Sequence, residues 1–122
     1  MEYYRGKLLA NIACGTPVRY KAEWFSKTKS LDSLGANWSA QFHVWRMDWD
    51  ENAIALYVDG QLLNNVELSK LSNKDSSGNN PFKQPHYMLL NLAAGGENGG
   101  SPEATPFPAR FEVDYVRVYQ KQ

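Results

Sequence analysis

Trp45-Arg46-Met47-Asp48-Trp49-Asp50-Glu51-Asn52-Ala53-Ile54-Ala55-Leu56-Tyr57-Val58-Asp59-Gly60-Gln61-Leu62-Leu63-Asn64-Asn65-Val66 is the stretch that decides the fold. Side chains of a strand alternate between its two faces. On that rule Trp38–Trp49 is the longest predicted strand, with His43, Trp45, Met47 and Trp49 on one face and Phe42, Val44, Arg46 and Asp48 on the other. Asp50-Glu51-Asn52 has the composition of a hairpin turn. Ala53–Val58 follows, with Ile54, Leu56 and Val58 on one side and Ala55 and Tyr57 on the other. Asp59-Gly60 is a strong two-residue hairpin signal, so Gln61–Val66 is predicted to pair back antiparallel.

The same reading extends in both directions. Upstream, the apolar run Leu8–Cys14 ends at the turn signal Gly15-Thr16-Pro17, and Arg19–Phe25 alternates polar and apolar. Ser26–Asn37 reads as a polar loop with a weak helical hint at Ser30–Leu34. Downstream, Glu67–Gln84 is rich in Ser, Asn and Lys and reads as a long surface loop with one helical turn at Glu67–Leu71. His86–Ala93 reads as an apolar strand, and Arg110–Tyr119 as a closing strand. Between them Ala94–Ala109 holds four glycines and three prolines, which a central strand does not tolerate. Short strands separated by turn signals predict an all-β sandwich of antiparallel strands, a single domain over residues 1–122.

Composition narrows the function classes. Thirteen Lys+Arg balance thirteen Asp+Glu, so neither a nucleic-acid partner nor a membrane surface is expected. One cysteine, Cys14, precludes an intrachain disulfide and reads as a small buried hydrophobe. No apolar run is long enough to span a bilayer. Met1-Glu2-Tyr3-Tyr4-Arg5 has neither the basic start nor the apolar stretch of a signal peptide. Four Trp and seven Tyr suit a β-rich core, or platforms on which sugar rings stack.

Four segments, in order, resemble glycoside hydrolase family 16, the laminarinase, lichenase and agarase group. Gln41-Phe42-His43-Val44-Trp45-Arg46-Met47-Asp48-Trp49 is similar to the family strand that begins Phe-His and ends Trp, and Leu56-Tyr57-Val58-Asp59-Gly60 resembles its Tyr-Val-Asp-Gly hairpin. Gln84-Pro85-His86-Tyr87-Met88-Leu89-Leu90-Asn91-Leu92-Ala93, followed by Gly95-Gly96, resembles its Gln-Pro…Leu-Asn-Leu-Ala strand. Phe107–Tyr119 resembles its C-terminal strand. The resemblance implies a concanavalin-like β-jelly-roll sandwich, of which this chain would be the C-terminal part. It also implies a retaining cut of a β-linked polysaccharide such as a β-1,3-glucan, and a secreted or periplasmic place of work, since the substrate is a polymer. No cofactor is required for that chemistry.

The resemblance also places the chemistry. The family's active-site strand reads Glu-x-Asp-x-Met-Glu; a β-bulge before the last glutamate turns all three carboxyls into one cleft. Met1 matches the bulge residue and Glu2 the final glutamate, the general acid/base. The matching nucleophile and its helper are not in this sequence, so the chain alone is expected to be inactive or to associate with copies of itself through open sheet edges. Five residues are expected to contact substrate. His43 could orient a carboxylate or touch sugar, or be a satisfied strand histidine. Trp45 and Trp49 stack on sugar or fill the core. Asn91 interrupts an apolar strand, and Gln84 begins it. Asp114 matches a family aspartate that helps bind a structural calcium, a cation that takes six to eight oxygens. The glycines 95, 96, 99 and 100 read as a rim loop, because no Lys-Ser/Thr follows to make a phosphate loop.

Overall fold

The computed structural model describes residues 2–4, 6–73, 77, 79–95 and 100–120, with the backbone alone for 2–4 and 104. Met1, Gly96, Gly99 and the side chain of Glu2 lie outside the described residues. Two antiparallel three-stranded sheets carry the first of two units, residues 1–87. The first sheet is β1 (Glu2–Tyr4), β2 (Lys7–Gly15) and β3 (Ala22–Ser30), in that order. The second is β4 (Trp45–Trp49), β5 (Ala53–Val58) and β6 (Gln61–Glu67). Every helical segment described is a three-residue 3-10 turn. The fold is all-β and antiparallel, as the alternation in the sequence predicts, and is consistent with part of a jelly roll.

Alternation sets the core. Leu8, Ala10, Ile12 and Cys14 of β2 are buried, and so are Ile54, Leu56 and Val58 of β5. The two inner faces meet through Ala10 and Ile12 on one side and Ile54, Leu56 and Val66 on the other, with Phe25 and Leu63 packed against them. The Asp59-Gly60 turn forms as predicted, with φ of 49° and 77°, the left-handed pair that a two-residue hairpin requires. A bulge follows: Tyr57 pairs with Leu62 but Leu56 pairs with Asn64, so Leu63 is the additional residue. The bulge turns Asn64 inward, where it is 5 % exposed. Its amide donates to the carbonyls of Ala10 at 2.8 Å and Phe25 at 2.9 Å, which satisfies a buried polar group and joins β6 to the first sheet.

Several expectations are corrected. The strand predicted over Trp38–Trp49 forms only at Trp45–Trp49; Trp38–Ala40 is a 3-10 turn. Ser26–Ser30, predicted as loop, is the second half of β3. Its polar residues are tolerated because β3 is an edge strand, where inward lysines such as Lys27 and Lys29, paired with Ala10 and Leu8, discourage further strand addition. The helical turn expected at Glu67–Leu71 forms as a 3-10 turn at Leu68–Lys70, but the segment is not all surface: Leu68 and Leu71, at 1 % and 0 % exposure, cap the core.

The second unit comprises residues 88–122. Its described residues contain no strand, and the predicted strands His86–Ala93 and Arg110–Tyr119 are not formed. Leu89 is 73 % exposed, and Met88, Phe111, Tyr115 and Val118 are exposed too. An extended apolar segment becomes a strand only beside a neighbour that completes its hydrogen-bond ladder. Among the described residues of this unit none does so.

Candidate glycan site

The aromatic face of β4 results from its register. Trp45, Met47 and Trp49 pair with Val58, Leu56 and Ile54, so they share the inner face of the second sheet. As edge residues they stay part-exposed, Trp45 at 43 % and Trp49 at 39 %. The opposite face is polar: Arg46 binds Asp48 at 3.1 Å and lies 4.0 Å over the ring of its cross-strand partner Tyr57.

His43 lies at the entry to β4, and its side chain is 8 % exposed. Its Nδ1 is 2.7 Å from an Asp59 carboxylate oxygen, and its Nε2 meets the Trp38 carbonyl. Both partners are acceptors, so each contact calls for a proton on the ring nitrogen that faces it. The Trp38 indole stacks on the imidazole at 3.6 Å and meets Trp45 edge-on at 6.0 Å. Asp59 accepts from the Val44 N–H at 2.9 Å, and its own N–H donates to the Val44 carbonyl. His43 is thus a latch between the Trp38–Ala40 turn and the hairpin. Both ring nitrogens are taken, which leaves neither for a sugar hydroxyl.

The latch has a pH dependence of fixed sign. Partial burial pushes the Asp59 carboxyl up, but hydrogen bonds from the Val44 N–H and the His43 ring, the charge of that ring and a bond from Trp38 outweigh it and hold the carboxyl below the usual carboxylate range. A lowered carboxylate stabilises the folded form above its unfolded value, and that contribution is lost as pH falls through the folded value. Acid titration followed by tryptophan fluorescence is expected to show a transition below the ordinary carboxylate range. Asp59→Asn, which tolerates the left-handed backbone, is expected to remove it; an unchanged acid transition in that variant would count against the latch.

The other predicted residues fall elsewhere. Trp49 meets His86 edge-on at 5.5 Å, and His86 stacks on Phe82 at 5.8 Å. Gln84 is exposed beside this trio. Asn91 and Asp114 are exposed and belong to the second unit. Among the described residues no group of three His, Cys, Asp or Glu side chains could hold a metal. Glu2 is in the other sheet of the first unit, its backbone paired with Leu9, which in turn pairs with Thr28. The face that holds Leu9 also carries two residues that sequence reasoning missed. Trp24, paired with Ala13, is 60 % exposed. Asn11, paired with Ser26, has a buried side-chain oxygen with no hydrogen-bond partner. Their signal was available in the alternation of Lys7–Gly15 and Ala22–Ser30, once both are read as strands.

The family model for glycosyl hydrolases family 16 matches residues 19–117. The chain belongs to this family. Its relatives include the glucan endo-1,3-beta-glucosidase A1 of Niallia circulans, 37 % identical over 97 % of this chain and 18 % of that protein. The beta-glucanase of Rhodothermus marinus is 37 % identical over 65 % of this chain and 29 % of that protein. The beta-1,3-glucan-binding protein of Penaeus monodon is 31 % identical over 78 % of this chain and 31 % of that protein. The chain therefore spans less than a third of the length of these three relatives. No solved structure matches it. Among the described residues no helix is long and apolar enough to cross a membrane.

Proposed function

We propose that this family 16 chain supplies the acid/base half of a retaining endo-β-glycosidase acting on β-1,3-glucan or a related polysaccharide, outside the cytoplasm. The observation that carries the reading is the pairing of Glu2 with Leu9, on a strand pair whose outer face carries Asn11 and Trp24. The backbone of Glu2 is thus in register with a strand pair that carries a ring and an amide oxygen on one face. The names of the Niallia and Rhodothermus relatives support the substrate class.

In the proposed reaction a second carboxylate, about 5–5.5 Å away, attacks the anomeric carbon while Glu2 protonates the departing glycosidic oxygen. The covalent glycosyl-enzyme then takes a water deprotonated by Glu2, so the anomeric configuration is retained. The residues that match the family's nucleophile are not in this sequence, so the isolated chain is expected to release no reducing ends from laminarin, lichenan or agarose. A polypeptide that combines this chain with the Glu-x-Asp pair is expected to release them, with first products of β configuration by proton NMR. First products of inverted configuration would overturn the mechanism, and so would turnover by the isolated chain that Glu2→Gln leaves intact.

A second reading is a module that grips β-glucan without cutting it. The Penaeus relative, named as a beta-1,3-glucan-binding protein, favours it. Binding of laminarin by the completed polypeptide, with no hydrolysis at any enzyme concentration, would select this reading over the first.

A further inference from the structure

A groove of about 660 Å³ opens between the β4–β5 turn and the segment after β6. Ligand sites commonly fall in a range of about 300–1,000 Å³. Its walls are tied down. The Asp50 carboxylate accepts from the N–H groups of Asn52 at 2.7 Å and Ala53 at 2.9 Å. The Leu68 N–H donates to the Asn52 carbonyl at 2.7 Å. The Asn80 amide donates to the Leu68 carbonyl at 2.6 Å and accepts from the Phe82 N–H at 3.0 Å. His86 bonds the Pro81 carbonyl at 2.8 Å. The opening is therefore a shape held by hydrogen bonds on both sides.

Three amides, Asn52, Asn79 and Gln84, line the groove. An amide offers donors and an acceptor together, which matches the paired hydroxyls of a sugar ring. The charges nearly cancel: Glu67 is taken by Lys70 at 3.4 Å, which leaves Glu51 and Lys83, one of each sign, on the lining. Two rings stand next to lining residues in the chain: Trp49 precedes Glu51 by two residues, and Phe82, packed against the core, immediately precedes Lys83. Through His86 these two rings form one cluster, and the indole is 39 % exposed. Sugar C–H faces pack against such rings. A polyanion would need a basic excess that the lining lacks, and a cation would need clustered ligands that the described residues do not provide.

We propose that this groove is a non-catalytic holding site for a stretch of neutral glycan, set on the second sheet and its turns and not on the sheet that carries Glu2. The site stands whether or not Glu2 is a catalytic acid/base, since it uses none of the first sheet. Affinity electrophoresis of the whole chain through gels containing laminarin, with gels containing lichenan in parallel, tests it. The chain is expected to be retarded. The double variant Asn52→Ala/Gln84→Ala should bind about tenfold more weakly, what two hydrogen bonds of ordinary net strength supply. Both positions are exposed, so its melting temperature should match the unsubstituted chain. Glu2→Gln should leave retardation unchanged. Retardation that survives the double variant but is lost in Trp24→Ala would place binding on the first sheet and overturn the proposal while sparing the family reading. Absence of retardation in either gel would overturn it too, as would a calcium-dependent rise in melting temperature lost in Glu51→Gln.

Discussion

Glu2→Gln is expected to lower kcat/KM on laminarin by about 10²–10⁴-fold in a polypeptide where this chain is joined to the family's Glu-x-Asp pair, the range that one general acid/base contributes. In the proposed mechanism a proton from Glu2 is needed most when the leaving group is a sugar alkoxide, a poor leaving group at neutral pH. An aryl glycoside with an acidic phenol departs without that help, so the loss on glycosylation should be much smaller for it. The alkaline limb of the pH–rate profile reports the deprotonation of the acid, and Gln has no proton to lose, so that limb should vanish. The proposed contacts with laminarin elsewhere on the surface do not involve Glu2, so KM should change little beside kcat. An equal loss on both substrates with the alkaline limb intact would show that Glu2 is structural, and the catalytic reading of the first sheet would fall.

What the sequence disclosed depended on how local the cause was. The Asp59-Gly60 hairpin was legible because the turn needs two left-handed residues at adjacent positions, and the observed φ values are of that kind. The buried row Ile54, Leu56, Val58 was legible for a similar reason, since one strand's alternation specifies it. His43 was left open between orienting a carboxylate, touching sugar and being a satisfied strand residue. The deciding partners, Asp59 and the Trp38 carbonyl, come from two separate turns, and no spacing rule links them. Asp59 was read as a turn residue only, yet it both sets the hairpin and holds the histidine. Ser26–Ser30 looked like loop because an edge strand with one solvated face needs few apolar residues. The strands expected at His86–Ala93 and Arg110–Tyr119 show the converse limit: apolar alternation states a capacity to pair, and pairing needs a neighbour in place.

Leu71→Ala is expected to cost the first unit about 2–5 kcal/mol, in the upper half of that range. The loss has two parts, the transfer free energy of the removed methyl groups and the cavity left where the surroundings cannot close. Leu71 is 0 % exposed and sits in the cluster with Leu56, Val66 and Leu68. Closing the void would require the Leu68–Lys70 turn to sink inward. That turn is held from two sides, by the Leu68 N–H on the Asn52 carbonyl and by the Asn80 amide on the Leu68 carbonyl. Relaxation is therefore restricted, and the cavity term should be paid nearly in full. Against a total stability of about 5–15 kcal/mol for a domain, this is a large fraction. Leu62→Ala, at a residue 51 % exposed on the outer face of β6, is the matched control and should cost about 0.5 kcal/mol or less. Urea midpoints with unchanged slopes give the comparison. Equal midpoints in the two variants would show that the segment after β6 is the surface loop its composition suggests. The same bonds shape the groove at Asn52 and Asn80, so a Leu71→Ala chain that still folds should also hold laminarin more weakly, through a loosened wall and with every groove side chain in place.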